Sequence, residues 1–223
     1  MFAGHVGAAL AIGRAERRVN VGVFIGAALL LDLSLWLFVL LGWESVFITA
    51  NFASTHQPEF VFPYSHGLLA SLAWSGIAGA AGFFCYAHLH AARWRAATLI
   101  AAAVFSHWLL DGLVHRPEMP LTDASSVKLG LGLWQTMSVA LAVESAIVIV
   151  GLLLFVRGSS LSRAKAFGLA ALTALILVFT IVGMTVAPAP PSATAMAGSS
   201  LLTLVAVCAL ACWLGRIPRE RQA

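Results

Sequence analysis

The sequence predicts an all-α protein, a polytopic membrane helix bundle of about six transmembrane helices with a short N-terminal half-helix. Of the 223 residues, 61% are hydrophobic and only 10% are charged, whereas a soluble globular chain has about 25% charged residues. Several apolar runs also approach or exceed the roughly 18–20 residues that a helix needs to cross a bilayer. The lipid bilayer is therefore the first expected partner. The predicted spans are 21–42, 66–90, 96–115, 129–156, 166–186 and 197–214.

The first apolar run, residues 1–13, is too short to cross a membrane alone. As a helix it would cover only about 20 Å, at about 1.5 Å per residue. Its basic residues, Arg14, Arg17 and Arg18, follow the apolar stretch, whereas those of a signal peptide precede it. We therefore expect a retained half-helix, or a re-entrant segment, that packs against the bundle.

Basic residues are distributed unequally between the two sides of the predicted bundle. One side has only Arg116 and Lys128, and cytoplasmic loops are the ones enriched in Lys and Arg. We therefore expect a protein of a bacterial-type inner (cytoplasmic) membrane with a cytoplasmic C-terminus. The net charge of +4 then reflects topology and requires no nucleic-acid partner. The residues on the basic side are Arg14, Arg17, Arg18, Arg93, Arg95, Arg157, Arg163, Lys165, Arg216, Arg219 and Arg221.

A change in composition near residue 160 divides the chain into two parts of one membrane domain. Residues 1–156 contain all the ionisable side chains predicted inside the membrane, so we expect them to form the bundle that carries the functional site. Residues 157–223 contribute two further spans, which are uncharged and rich in Ala, Leu, Val and Thr. We expect these two helices to serve as scaffold or as an oligomer surface. The sequence leaves the oligomeric state open.

Ionisable side chains inside the predicted spans are the first candidates for function. A charge at the centre of a membrane helix costs about 2.5–3.5 kcal/mol on insertion scales, so such residues are rarely present without a role. His107 and Asp111 lie four residues apart. On a helix their side chains project only about 40° apart. An imidazole and a carboxylate in this arrangement can bind one metal ion, although they can also form a purely structural pair.

Three further residues are expected at the same depth as this pair, in the outer half of the membrane. They extend the set to three imidazoles and two carboxylates from four segments. Nitrogen and oxygen ligands without thiolates suit a divalent metal, with Zn²⁺ the first choice and Mn²⁺ or Fe²⁺ as alternatives. A structural polar network and a proton or ion pathway are the competing interpretations. The candidate metal ligands are His5, Asp32, His66, His107 and Asp111.

His115 and Glu144 are candidate catalytic groups. His115 lies eight residues beyond His107, about 12 Å along a helix axis, so we expect it at the outer rim, where it and Arg116 could meet a phosphate. Glu144 is the only charge in the middle of span 129–156. It is either a general base, a partner of a metal ligand, or a buried acid that is hydrogen-bonded to a neighbouring helix.

Four elements of the sequence form a pattern: GH at 4–5, the lone span residue Asp32, YSHGLL at 64–69 and SHWLLDGLVHRPEMPL at 106–121. Over roughly residues 1–150 this pattern resembles the YdjM-like family of membrane-bound proteins, described as predicted metal-dependent hydrolases or LexA-binding inner-membrane hydrolases. The resemblance implies that the five His and Asp residues above occupy the family's metal-site positions.

The chain also departs from the pattern of that family. Better-known members have a DxDH-like stretch where this chain reads LDLSLW, and HRGxTHS where it reads VFPYSHG. The resemblance therefore implies a divergent member with fewer metal ligands. No motif of this chain supports LexA binding.

Together these observations predict a membrane-embedded metal-dependent hydrolase with its site in the outer half of the bilayer. A site within one leaflet suggests a lipid-linked or phosphate-containing substrate. An ion- or proton-coupled transporter is one alternative, and it would require ionisable groups through the full thickness of the membrane. A non-catalytic membrane scaffold is the other, in which the same groups form interhelical hydrogen bonds.

Overall fold

A computed structural model of the protein describes residues 1–216 and confirms the predicted all-α bundle. Two small two-stranded sheets and two 3₁₀ turns, Ala87–Ala92 and Leu133–Thr136, lie between the helices. The predicted basic residues Arg219 and Arg221 lie outside the described residues. The α-helices of the described part are α1 (Phe2–Gly13), α2 (Val21–Ala28), α3 (Leu30–Leu41), α4 (Phe52–Thr55), α5 (Leu68–Cys85), α6 (Arg93–Val114), α7 (Met137–Gly158), α8 (Arg163–Thr185) and α9 (Ala193–Leu214). The strands are β1 (Ser45–Phe47), β2 (Glu59–Val61), β3 (Met119–Pro120) and β4 (Lys128–Leu129), with β1 antiparallel to β2 and β3 antiparallel to β4.

Helices α5 to α9 each lie in a segment long and apolar enough to cross a membrane. Helices α2 and α3 supply a sixth span if they are counted as one, although the two are bent by 49° relative to each other at Leu29. Helix α1 is apolar but has only 12 residues. The predicted six spans and N-terminal half-helix therefore correspond to elements of the structure, and the new feature is the break inside the first span.

Helix α1 lies in the middle of the bundle. It packs against α2, α6, α7 and α8, and Ala3, Val6, Ala9 and Leu10 are at most 1% exposed. Because its neighbours surround it, this helix does not need the length of a full span to bury its apolar side chains. It thereby carries His5 into the interior of the protein.

Two glycines allow α1 and α7 to cross at close range. A Cβ added at Gly7 would lie 2.7 Å from the backbone oxygen of Ile147, and one added at Gly151 would collide with the backbone of Gly7. Small residues at such crossings let helix backbones approach closely in membrane proteins. This crossing fixes the position of α1 and therefore the depth of His5.

The two C-terminal spans contact the helices that carry the candidate site. Helix α8 packs on α1 and α7, and α9 packs on α2 and α3. Asn20 joins two of these elements, because its Oδ1 accepts a hydrogen bond from Gly22 N–H at 2.9 Å and its Nδ2 donates one to the Cys212 carbonyl at 2.9 Å. The N-terminus of α2 is thus capped and attached to the end of α9 by one side chain.

We predict that Gly151→Ala lowers the midpoint of thermal unfolding in detergent. The new methyl group has no space at the α1–α7 crossing, and overpacking typically costs about 1–3 kcal/mol. Gly183→Ala is the matched control, because an added Cβ there meets no atom within 4 Å, and alanine favours a helix over glycine. Equal unfolding midpoints for the two variants would show that the crossing is not tightly packed.

Candidate metal centre

The structure brings all five predicted metal ligands together. Helix α1 supplies His5, the first turn of α3 supplies Asp32, the turn before α5 supplies His66, and α6 supplies His107 and Asp111. Four of the five are at most 2% exposed, and the Asp32 side chain is the partly open member, at 20%. Two overlapping groups have ligand atoms close enough to hold a metal ion, namely His5, Asp32 and His107, and His66, His107 and Asp111.

Four donor atoms form the centre of this cluster. His107 Nε2 lies 3.1 Å from both His66 Nε2 and Asp111 Oδ2, and 3.7 Å from Asp32 Oδ1. His66 Nε2 lies 3.4 Å from Asp111 Oδ2 and 3.6 Å from Asp32 Oδ1. In a tetrahedral zinc site with ligands at about 2.0–2.1 Å, neighbouring ligand atoms are about 3.3–3.4 Å apart. The spacing of His66, His107 and Asp111 therefore fits one ion, and Asp32 Oδ1 lies beside both imidazoles.

The break between α2 and α3 orients the ring of His107. Next to this break, the Ala28 carbonyl oxygen lies 2.6 Å from His107 Nδ1. A carbonyl oxygen can only accept, so Nδ1 donates the hydrogen bond and the neutral ring directs the lone pair of Nε2 into the cluster. Irregular backbone inside a membrane span is tolerated where it is buried in protein, and here it supplies the acceptor that sets the tautomer.

A side-chain relay orients His66 in the same way. Ser65 Oγ donates to Glu44 Oε2 at 2.7 Å, so it accepts the 2.8 Å hydrogen bond from His66 Nδ1. Glu44 is itself fixed by the backbone N–H groups of Tyr64 and Ser65, both at 2.8 Å. Burial raises the pKa of the Glu44 carboxyl, while these hydrogen bonds oppose that rise. The relay leaves the lone pair of His66 Nε2 directed at His107.

Apart from the Met1 amino group, which donates to Asp111 Oδ1 at 3.1 Å, the cluster is rich in electron pairs and poor in hydrogen-bond donors. In these tautomers two unprotonated Nε2 atoms face each other at 3.1 Å, beside the carboxylates of Asp32 and Asp111. A proton on Nε2 of either ring would form a hydrogen bond to only one of the neighbouring acceptor atoms at a time. A divalent cation bound here would contact both imidazoles and a carboxylate at once, and so would offset the cost of burying that charge. The donor set therefore fits a bound metal ion better than it fits a network of hydrogen bonds alone.

The two overlapping groups describe one centre and not two. Since His107 Nδ1 is engaged by the Ala28 carbonyl, only Nε2 of that ring is free to bind an ion in either group. His5 stacks on His107, with ring centroids 3.6 Å apart and planes 9° apart, and its Nε2 lies 3.1 Å from Asp111 Oδ1. Neither ring nitrogen of His5 has a hydrogen-bond partner among the described residues. The amino nitrogen of Met1 also lies 3.1 Å from Asp111 Oδ1.

His115 lies deeper than the sequence predicts. We expected it at the outer rim, yet it is only 5% exposed and its Nε2 lies 3.8 Å from Asp111 Oδ2. The His115 N–H still donates to the Asp111 carbonyl at 2.9 Å, so helix geometry places its ring one turn beyond Asp111 on the same face. Its Nδ1 lies 2.6 Å from Glu118 Oε1. A carboxylate accepts this hydrogen bond, so Nδ1 carries the proton and the Nε2 that faces the cluster has a free lone pair.

Glu144, the second predicted catalytic group, lies against the backbone of α1. Its Oε1 accepts a hydrogen bond from Gly4 N–H at 2.9 Å, and the residue is 2% exposed. This contact satisfies one of the free N–H groups at the start of a helix. The third interpretation from the sequence, a buried acid hydrogen-bonded to a neighbouring helix, describes this observed contact.

The segment between α3 and α5 covers the end of the cluster that is opposite the basic residues. Strands β1 and β2 belong to this segment, and the rings of Phe60 and Phe62 each lie 5.8 Å from that of His115. Phe62 also contacts His66 edge to face at 4.9 Å. On another side of His115 the ring of Trp134 lies 4.3 Å away. Aromatic rings therefore separate the cluster from the adjoining surface.

A cleft of about 530 Å³ lies beside this cover, at the end of α6. Its charged residue is Arg116, which lies 3.3 Å from Glu59 and 3.4 Å from Glu118. Glu118 thus connects the arginine of the cleft to His115. The cleft is lined by Ser54, Thr55, His56, Gln57, Val114, Arg116, Gly132, Trp134, Gln135, Met137, Met184 and Thr185.

Searches against protein-family models, characterised proteins and solved structures find no match to this chain. The resemblance to the YdjM-like family therefore stays a prediction from the motifs.

We predict that the purified protein binds one divalent ion per chain and that Asp111→Asn abolishes tight binding. The substitution keeps the shape of the side chain but removes a negative charge that faces both His66 and His107. Glu144→Gln is the matched control. Its amide oxygen can still accept the hydrogen bond from Gly4 N–H, and the substitution leaves the four donor atoms of the cluster unchanged. Metal content and zinc titration calorimetry would report the difference. Full metal content in Asp111→Asn would contradict this assignment.

Removal of the hydroxyl of Ser65 is expected to weaken metal binding without removing a ligand. Loss of a partner that orients a ligating histidine typically costs 10–100-fold in metal affinity, so we predict a loss in this range for Ser65→Ala. Ser71→Ala is the control, since Ser71 is also fully buried but its hydroxyl has no hydrogen-bond partner among the described residues. If both variants bind zinc as tightly as the unmodified protein, the relay through Glu44 has no effect on His66.

Proposed function

We propose that this protein is a membrane-embedded metal-dependent hydrolase with its active centre at the His and Asp cluster. The observation that carries the proposal is the convergence of four donor atoms at 3.1–3.7 Å in a buried site. Zn²⁺ is the first choice of metal, because the two imidazoles and one carboxylate of His66, His107 and Asp111 form a three-ligand set that leaves the fourth tetrahedral position for water. Mn²⁺ and Fe²⁺ accept the same ligand types.

The residues of the cluster divide into those that hold the ion and those that handle protons. His66, His107 and Asp111 would hold the ion and leave one coordination position for water. Asp32, the partly open carboxylate beside both imidazoles, would accept a hydrogen bond from that water. His5 lies against Asp111 and stacks on the ring of His107. A bound divalent ion supplies Lewis acidity toward a phosphoryl or acyl oxygen and activates a water molecule. His115 Nε2 faces the edge of the cluster and accepts a proton from the attacking water or returns one to the leaving group. Glu118 holds the His115 ring in the tautomer that this role requires.

The location of the cluster supports a substrate that is lipid-linked or contains phosphate. The ends of α5 and α6 that carry His66 and His115 lie opposite the basic end of the bundle. With the basic end in the cytoplasm of a bacterial-type cell, the centre lies in the outer half of the inner membrane, within reach of lipid headgroups. Arg116, in the adjoining cleft, supplies a guanidinium group for a phosphate.

The distribution of buried charge favours hydrolysis over transport. Among residues 1–216, the buried His, Asp and Glu side chains lie in the cluster and its supporting contacts, except for Glu16 at the basic end. Glu16 is paired with Arg18 at 2.7 Å. A proton or ion pathway requires such groups through the full thickness of the membrane, and the interior toward the basic end does not supply them within the described part.

We predict metal-dependent hydrolysis of a phosphate-containing lipid by the reconstituted protein. Lipid phosphomonoesters, lipid pyrophosphates and phospholipids would be supplied as separate classes, with release of phosphate and mass spectrometry of the lipid as the measurements. Turnover is expected to stop on chelation and in Asp111→Asn. It should fall by about 10²–10⁴-fold in His115→Ala, the range for loss of a general acid–base group.

Glu144→Gln is expected to keep most of the turnover and serves as the control for reconstitution. Hydrolysis that survives both chelation and Asp111→Asn would overturn the proposal. Ion flux in liposomes that Asp32→Asn abolishes, with no hydrolysis of any lipid class, would support a transporter instead.

A further inference from the structure

Three arginines border a pocket at the opposite end of the molecule from the metal centre. The pocket has a volume of about 450 Å³ and lies where the C-terminus of α1 meets the N-terminal turn of α6. Arg14 and Arg17 come from the turn after α1, and Arg95 comes from α6. Its remaining lining residues are Ala11 and Ala15.

The guanidinium groups of Arg14 and Arg17 converge over the last residue of α7. A Cβ added at Gly158 would lie 2.9 Å from Arg17 Nη2 and 3.2 Å from Arg14 Nε, so both groups lie over the same small residue. Solvated arginines on a charged surface repel each other and extend apart. Here the absence of a side chain at Gly158 leaves space for two like charges to approach a third, Arg95.

No carboxylate neutralises this group within residues 1–216. The acid nearest in the sequence is Glu16, and it is engaged by Arg18, which donates to both of its oxygens at 2.7 and 2.8 Å. Arg95 Nη2 donates to the Ala15 carbonyl, and this bond holds its side chain at the pocket without neutralising its charge. Among the described side chains, no carboxylate is in ion-pair contact with these three arginines. The hydrogen bonds from Arg18 lower the pKa of the Glu16 carboxyl, and Arg95 adds to this effect only at longer range.

Aromatic side chains indicate that the pocket lies at the level of lipid headgroups. Trp94, next to Arg95, is 65% exposed, and Phe84 is 73% exposed. Arg93 lies over the ring of Phe83, 4.2 Å from its centroid. Exposed aromatic rings near the ends of membrane helices mark the interface between hydrocarbon and water. A ligand in the pocket would thus be within reach of the bilayer surface.

We propose that this pocket, formed by Arg14, Arg17 and Arg95, binds the phosphate of an anionic phospholipid headgroup. Guanidinium groups match the geometry of phosphate oxygens and bind them in a bidentate manner. Basic pockets between membrane helices on the cytoplasmic side select anionic lipids by the same physics. This site is separate from the metal centre, and the proposal does not depend on the hydrolase function.

The test is binding of short-chain phosphatidylglycerol to the full chain in a neutral detergent, measured by calorimetry. Arg14→Gln/Arg17→Gln is the test variant. Arg163→Gln/Arg216→Gln is the control, since it removes two positive charges from the same end but outside the pocket. The test variant loses charge-assisted guanidinium contacts to the phosphate inside the pocket, so we expect roughly a 10- to 30-fold loss of affinity. The control should bind as the unmodified protein does.

Further arms distinguish a lipid site from other outcomes. Short-chain phosphatidylcholine and inorganic phosphate should both bind far more weakly than phosphatidylglycerol. Arg95→Gln alone should give a smaller loss, and it replaces the double variant if that protein does not fold. Equal losses in the test and control variants would overturn the proposal in favour of diffuse surface charge. Inorganic phosphate binding as tightly as phosphatidylglycerol would overturn the lipid as the ligand.

Discussion

The mutual repulsion of electron pairs in a buried cluster is the constraint on which the rest of this structure depends. His66 and His107 lie with their Nε2 atoms 3.1 Å apart and 3.1–3.7 Å from carboxylate oxygens of Asp32 and Asp111, in a site where only the Asp32 side chain is partly exposed. Charge buried in this way is stable only with a counter-ion or a complete set of donors. The helices that surround the cluster provide the contacts that keep each acceptor in place, and the cluster has groups of ligand atoms that could hold a cation.

Backbone irregularity is the means by which the fold keeps these acceptors in place. A continuous first span would use the Ala28 carbonyl for its own helical hydrogen bond, whereas the bend at Leu29 lets that carbonyl accept from His107. The same break begins α3 just before Asp32, so the carboxylate lies in the first turn of a helix, where the helix dipole favours a negative charge. One local departure from helical geometry thus positions two ligands on facing elements.

The sequence was sufficient for the ligands that depend on local geometry. The four-residue interval between His107 and Asp111 fixes their relative direction on any helix, and apolar runs fix the approximate depth of His5, Asp32 and His66. The sequence was not sufficient to predict contacts between distant segments, because nothing near His66 indicates that Glu44 would form a hydrogen bond with Ser65. His115 was expected at the rim for the same reason. Its ring lies one helical turn beyond Asp111, and nothing local to the helix indicates that the rings of Phe60, Phe62 and Trp134 would cover it.

The central position of α1 links the candidate metal centre to the arginine pocket. Its N-terminal half carries His5 to the cluster and offers Gly4 N–H to Glu144, while its C-terminal end leads into Arg14 and Arg17 beside Gly158 of α7. The α1–α7 crossing at Gly7 and Gly151 lies between these ends. Because α1 is too short to span a bilayer and has little contact with lipid, interactions with other helices hold it at its depth. A ligand bound to Arg14 and Arg17 at the C-terminal end of α1 would therefore also restrain the position of His5 in the cluster.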